Sequence, residues 1–157
     1  MGLTGTIPAQ LGNLAKLNRL DFLSNKLVGN IPTTLGLVTG LQTLELSLNN
    51  LMDGVPSELG MLSMIESLHL FGNKLTGTIP TQLGLLTVLT NLDLSGNKDG
   101  NQLSGTIPTE LGNLSKLTNV FLRYNSLNGT VPTQLGVLTE LTCFFFGKQH
   151  VNRKCSI

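Results

Sequence analysis

The chain has 157 residues, 40% apolar and 12% charged, and its ten basic and nine acidic side chains leave a net charge of +1. That length suits one domain, and the apolar content excludes a disordered chain. No basic run exceeds Arg153-Lys154 and no apolar run approaches the roughly 18 residues of a membrane-crossing helix, so neither a nucleic-acid grip nor a membrane span is expected.

The first element to recur is Ile7-Pro8, and it sets the register of everything after it. Prolines stand at 8, 32, 56, 80, 108 and 132, with successive spacings of 24, 24, 24, 28 and 24. Each follows Ile or Val, and each precedes a Leu-Gly pair by three residues, from Leu11-Gly12 to Leu135-Gly136. A period in this range marks a stacked repeat architecture. Six units begin at Leu3, Leu27, Leu51, Leu75, Leu103 and Leu127. They run within one solenoid over 1–157, with an irregular end at 147–157.

Within a unit the elements follow in a fixed order. The L-x-G-x-I-P stretch is extended and closed by its proline, which cannot donate to a sheet ladder. The x-x-L-G-x-L stretch has helical spacing but is too short for an α-helix, which predicts a 3₁₀ turn. Its glycine suits either close packing or a positive φ. The L-x-L core alternates with period two and predicts a short strand. An Asn follows each strand, at Asn25, Asn49, Asn73, Asn97 and Asn125, where a buried amide can bond free backbone groups of neighbouring coils as a ladder. One coil cannot bury its leucines alone, so neighbours must cover both flanks.

Two units depart from the pattern. The third carries Asp53 where the others have Gly, an expected distortion of that turn. The fourth is four residues longer, and the surplus is read as 99–102, Asp99-Gly100-Asn101-Gln102, bulging after Asn97-Lys98. Asn97, Asp99 and Asn101 have calcium-loop spacing, but the Gly and Glu that such a loop needs are missing, so no metal is expected there.

The motif L-x-x-L-x-L-x-x-N-x-L, as in Leu41 to Leu51, together with the L-x-G-x-I-P segment, resembles the plant-type leucine-rich repeat. That family includes receptor-kinase ectodomains, receptor-like proteins and polygalacturonase-inhibiting proteins. The resemblance implies an α/β repeat solenoid, a right-handed superhelix with a parallel sheet on its concave face and short 3₁₀ turns on its convex side. It further implies an extracellular or cell-surface setting and a protein or peptide ligand bound on the concave face, with no cofactor. The chain enters the repeat at once, without an apolar leader or a paired-cysteine cap, and reads as a piece of a longer receptor or inhibitor. It has no kinase motifs, so any membrane or kinase segment of the parent is expected outside it.

Residues flanking the strand leucines form columns across the concave face. One column is Asp21, Glu45, His69, Asp93, Phe121 and Phe145, and the next carries Phe71 and Arg123, with Tyr124 beside the latter. Outward aromatic and Arg side chains are typical interface anchors, so His69, Phe71, Phe121, Arg123, Tyr124 and Phe145 are the candidate binding residues. Glu45, His69 and Asp93 compose a row with Ser67 and Ser95 nearby. A hydrolase reading of it is the remote alternative, since the sequence offers no oxyanion hole. A third reading is ice or surface binding by the threonines at 4, 6, 76, 78, 106 and 130, interrupted by Asn30 and Gly54. Cys143 and Cys155 are the only cysteines, a candidate disulfide at the end of the last coil. Asn113 and Asn128 head the sequons Asn113-Leu114-Ser115 and Asn128-Gly129-Thr130.

Overall fold

A computed structural model describes residues 2–97 and 100–147. Among the described residues, twelve short strands accompany six 3₁₀ turns, two strands and one turn to each repeat unit. The strands are β1 (Thr4–Thr6), β2 (Arg19–Asp21), β3 (Lys26–Gly29), β4 (Thr43–Glu45), β5 (Asn50–Gly54) and β6 (Ser67–His69). They continue as β7 (Lys74–Thr76), β8 (Asn91–Asp93), β9 (Ser104–Gly105), β10 (Asn119–Phe121), β11 (Ser126–Leu127) and β12 (Cys143–Phe145). The even-numbered strands make one six-stranded parallel sheet in the order β12-β10-β8-β6-β4-β2. The odd-numbered strands make a second, interrupted layer, β1-β3-β5-β7 and β9-β11, bridged by Thr78 and Ser104. This is the α/β repeat solenoid that the family resemblance implies.

Register explains the stack. Leu20, Leu44, Leu68, Leu92, Val120 and Phe144 pair in succession across the large sheet. Leu44, Leu68 and Leu92 are wholly buried, whereas Phe144 at the last coil is half-buried. Parallel strands one repeat apart put identical positions side by side, so each leucine column is continuous and covered from both flanks except at the ends.

Each turn begins after its proline and carries the Leu-Gly pair; successive turns stack directly on each other. The glycines are there for close approach, not for positive φ. A Cβ added at Gly60 would stand 2.5 Å from the carbonyl oxygen of Gln82 in the next coil, and one at Gly84 equally close to that of Glu110. Gly136 in the last turn faces no atom within 4 Å. Gly60→Ala is therefore expected to cost about 1–3 kcal/mol by overpacking, while Gly136→Ala leaves the thermal melt unchanged or slightly raised.

Asp53 does not distort its turn. It adopts φ 68°, the left-handed conformation that Gly5, Gly29, Gly77, Gly105 and Gly129 adopt at the same position. Asp is one of the few residues with a side chain that enters this region readily.

The amide ladder is formed, with one rung displaced from where the sequence reading puts it. The Oδ1 atoms of Asn49, Asn73 and Asn125 accept the N–H groups of Leu27, Leu51 and Leu103 in the preceding coil, each at 3.0 Å. Their Nδ2 groups donate to Phe22, Leu46 and Leu94 carbonyls at 2.8–2.9 Å. Asn25 takes the Leu3 N–H at 2.8 Å. In the fourth coil, however, the rung is Asn101, not Asn97: Asn101 accepts the Leu75 N–H at 3.1 Å and donates to the Leu70 carbonyl at 3.0 Å. Asn101 is 2% exposed, whereas Asn97 lies at the surface. Gly96 keeps the regular place after Ser95, donating to the Arg123 carbonyl, and Gln102 keeps the regular bond to Leu75. The surplus four residues are therefore 97–100, not 99–102.

Candidate functional site

The outer face of the six-stranded sheet carries the side chains between the buried leucines. Each strand offers two outward positions flanking its central leucine, and neighbouring strands lie about 4.8 Å apart. The rows read by register therefore become physical contacts.

At the β2–β6 end the contacts are ionic. Arg19 bonds Asp21 at 2.8 Å, and that hydrogen bond holds the Asp21 carboxyl below its ordinary range. His69 Nδ1 lies 2.9 Å from Glu45 Oε2, and the Ser47 N–H donates to Oε1 at 2.8 Å. Burial pushes the Glu45 carboxyl up, but the bonds from His69 and Ser47 outweigh it and hold the pKa below the ordinary value.

Asp93 on β8 differs from both. It accepts the N–H and hydroxyl of Ser95, yet burial dominates and pushes its carboxyl up. Among the described residues it makes no ion pair, because His69 is committed to Glu45. The Ser95 hydroxyl is turned to Asp93, and Ser67 receives the amide of Asn91, so neither hydroxyl is aligned with His69 as a nucleophile. The row is an electrostatic chain, with no triad geometry in it.

At the β10–β12 end the face is aromatic. Phe121 and Phe145 stack with centroids 5.5 Å apart and ring planes 11° from parallel. The Arg123 guanidinium sits 4.3 Å from the centroid of Phe145, a cation–π contact. These three candidate residues form one cluster. Phe71 follows β6, two strands from Phe121, and belongs to a different part of the face. Tyr124 holds a left-handed φ of 54° just after β10, and its N–H donates to the Gly147 carbonyl.

A second row was not singled out from the sequence. Asn119 Nδ2 donates to Asn91 Oδ1 at 2.5 Å and to Thr118 Oγ1 at 3.0 Å, joining β10 to β8 by side chains. The signal was the same amide in one column of consecutive coils. Asn113 and Asn128 are exposed, as a sequon asparagine must be. Cys143 is buried and not a free thiol, while its expected partner Cys155 lies outside the described residues. The threonines of the alternative reading are exposed but divided between the two pieces of the second layer.

The Leucine Rich Repeat family model matches residues 40–62, 64–86 and 88–114. A chain of the BIR3–SERK2 complex from Arabidopsis thaliana is 36% identical, with a TM-score of 0.72 over 84% of this chain and 68% of that one. The chain belongs to the plant-type leucine-rich repeat family. This leucine-rich repeat chain also superposes, with a TM-score of 0.88 and 42% identity over 93% of its length, on 17% of the ectodomain of the Arabidopsis thaliana receptor kinase GASSHO1/SCHENGEN3, solved with CASPARIAN STRIP INTEGRITY FACTOR 2. It matches 23% of the Arabidopsis receptor kinase HAESA, solved with the peptide hormone IDA and the co-receptor SERK1, at 40% identity and a TM-score of 0.84. It thus spans less than a quarter of either receptor ectodomain. A sequence comparison with curated proteins gives no match. Among the described residues no helix is long and apolar enough to cross a membrane.

Proposed function

We propose that this chain is a non-catalytic peptide- or protein-binding module of a plant-type receptor or inhibitor, acting outside the cell through the concave face of its six-stranded sheet. The observation that carries the reading is the Phe121–Phe145–Arg123 cluster, three half-buried side chains stacked on an outward sheet face where packing does not require them. Large flat side chains with a cation beside them are costly to leave in water, and they are the residue types that anchor interfaces. The similar receptor ectodomains, solved with a peptide hormone or an integrity factor, support a peptide as the ligand class. Exposed sequons at Asn113 and Asn128 and a bonded Cys143 fit an extracellular setting.

The test is selection from a random heptapeptide library displayed on phage, run against the wild-type chain and against the double variant Phe121→Ala/Arg123→Glu. Sequences enriched on the wild type are expected to lose at least tenfold in recovery on the variant, whose circular dichroism stays that of the wild type. Equal recovery on both would remove the cluster from the binding surface.

A further inference from the structure

We propose that Asp93 is the specificity point of this face, receiving a basic side chain of the bound peptide; the inference rests on the peptide-binding reading above. Three carboxylates project from the outer face of the sheet, and each caps the turn after its strand by accepting the N–H two residues on, from Leu23, Ser47 and Ser95. That shared task explains an acid at each position but not the difference in how each is neutralised. Asp21 has the Arg19 guanidinium at 2.8 Å and Glu45 has the His69 ring at 2.9 Å, whereas Asp93 makes no ion pair among the described residues, and His69, its register partner on β6, acts on it only through space.

Its surroundings suit a positively charged group. Phe121 is its register partner on the adjacent strand and presents a half-exposed aromatic ring. Arg123, which follows β10, is drawn onto Phe145, on the strand beyond. A carboxylate beside an aromatic ring on the neighbouring strand matches a group with N–H donors and a positive charge, a lysine ammonium or an arginine guanidinium. A bare metal ion would find too few oxygen ligands here.

The cost of keeping Asp93 points the same way. Its folded carboxyl titrates above its unfolded value because of burial, so ionisation is disfavoured by folding, and stability falls as pH rises through that interval. A cation brought beside Asp93 by a bound peptide would offset that penalty. Asp93→Asn preserves shape and the acceptor for Ser95, and its thermal midpoint is expected at or above that of the wild type.

The same heptapeptide library, panned in parallel on wild type and Asp93→Asn, provides the test. Lys and Arg are expected to be enriched in the wild-type pool and to return to library frequency on Asp93→Asn. A synthetic selected peptide is expected to bind Asp93→Asn roughly tenfold more weakly, the scale of one charge-assisted hydrogen bond. Replacing its lysine by norleucine should abolish that difference. Basic enrichment absent from the wild type, or undiminished on Asp93→Asn, overturns the assignment of Asp93 and leaves the peptide-binding reading standing. No enrichment of any sequence on the wild type over Phe121→Ala/Arg123→Glu overturns both. Should Asp93→Asn fail to fold, the salt dependence of wild-type binding decides: affinity for the selected peptide falls between low and high salt if the ion pair exists, and a flat response overturns it.

Discussion

Asn73→Ala should destabilise the chain by about 3 kcal/mol, composed of roughly 1–3 for an orphaned buried N–H and about 1 for the net bonds lost. The orphan is the Leu51 N–H, whose only acceptor is Asn73 Oδ1 at 3.0 Å, in a residue that is wholly buried. The Leu46 and Leu70 carbonyls lose Asn73 Nδ2 but keep bonds from Asn49 and Asn101, so the loss is concentrated at one donor. Asn101→Ala should behave in the same way, since it serves the Leu75 N–H by the same geometry. Asn97→Ala, at an exposed position, should cost at most about 1 kcal/mol. Urea denaturation of the three variants checks this. Equal losses at 97 and 101 would show that the fourth rung is not where the hydrogen bonds place it.

The second large effect lies in the leucine column. Leu92→Ala should cost about 2–5 kcal/mol, the transfer free energy of the deleted carbons plus the cavity left behind. Leu92 is wholly buried between Leu68 and Val120, and both neighbouring coils are rigidly stacked through their turns, so the cavity cannot collapse easily. Leu20→Ala, in the same column but in the first coil where Leu20 is 7% exposed, should cost measurably less. A denaturation series along Leu20, Leu44, Leu68 and Leu92 should therefore rise from the end of the rod towards its middle. A flat series would contradict a core shared between coils.

These expectations differ in how far the sequence alone reaches them. The leucine column and the 3₁₀ turns are legible because each coil repeats the same constraint: a period-two apolar core, a proline that ends the extended stretch, and a short apolar turn. Six copies average out local accidents such as Phe22, Ile65 and Val120. The role of the turn glycines was not decidable in that way, because close packing and positive φ both favour glycine. Only the neighbouring carbonyl at Gln82, one coil away, decides for close packing at Gly60.

The functional face was partly legible. Columns of outward residues follow from strand alternation, and they brought Phe121 and Phe145 to adjacent positions correctly. They did not reveal which neighbours engage each other. Arg123 turning to Phe145, His69 turning to Glu45, and Asp93 left without an ion pair depend on rotamers and competing partners that alternation does not specify.

The fourth coil marks the boundary between the two kinds of knowledge. Repetition of one 24-residue pattern determined the architecture, because a periodic apolar set can be buried only by stacking its copies. It could not determine which asparagine enters the ladder, because Asn97-Lys98 and Asn101-Gln102 satisfy the same local pattern. The tertiary structure chose Asn101: the amide must stand two residues before a core leucine, Leu103, to reach the buried N–H of Leu75, and Asn97 is left exposed. Local pattern fixes what each residue is suited to do, and only the distance to a partner in the next coil decides which residue does it.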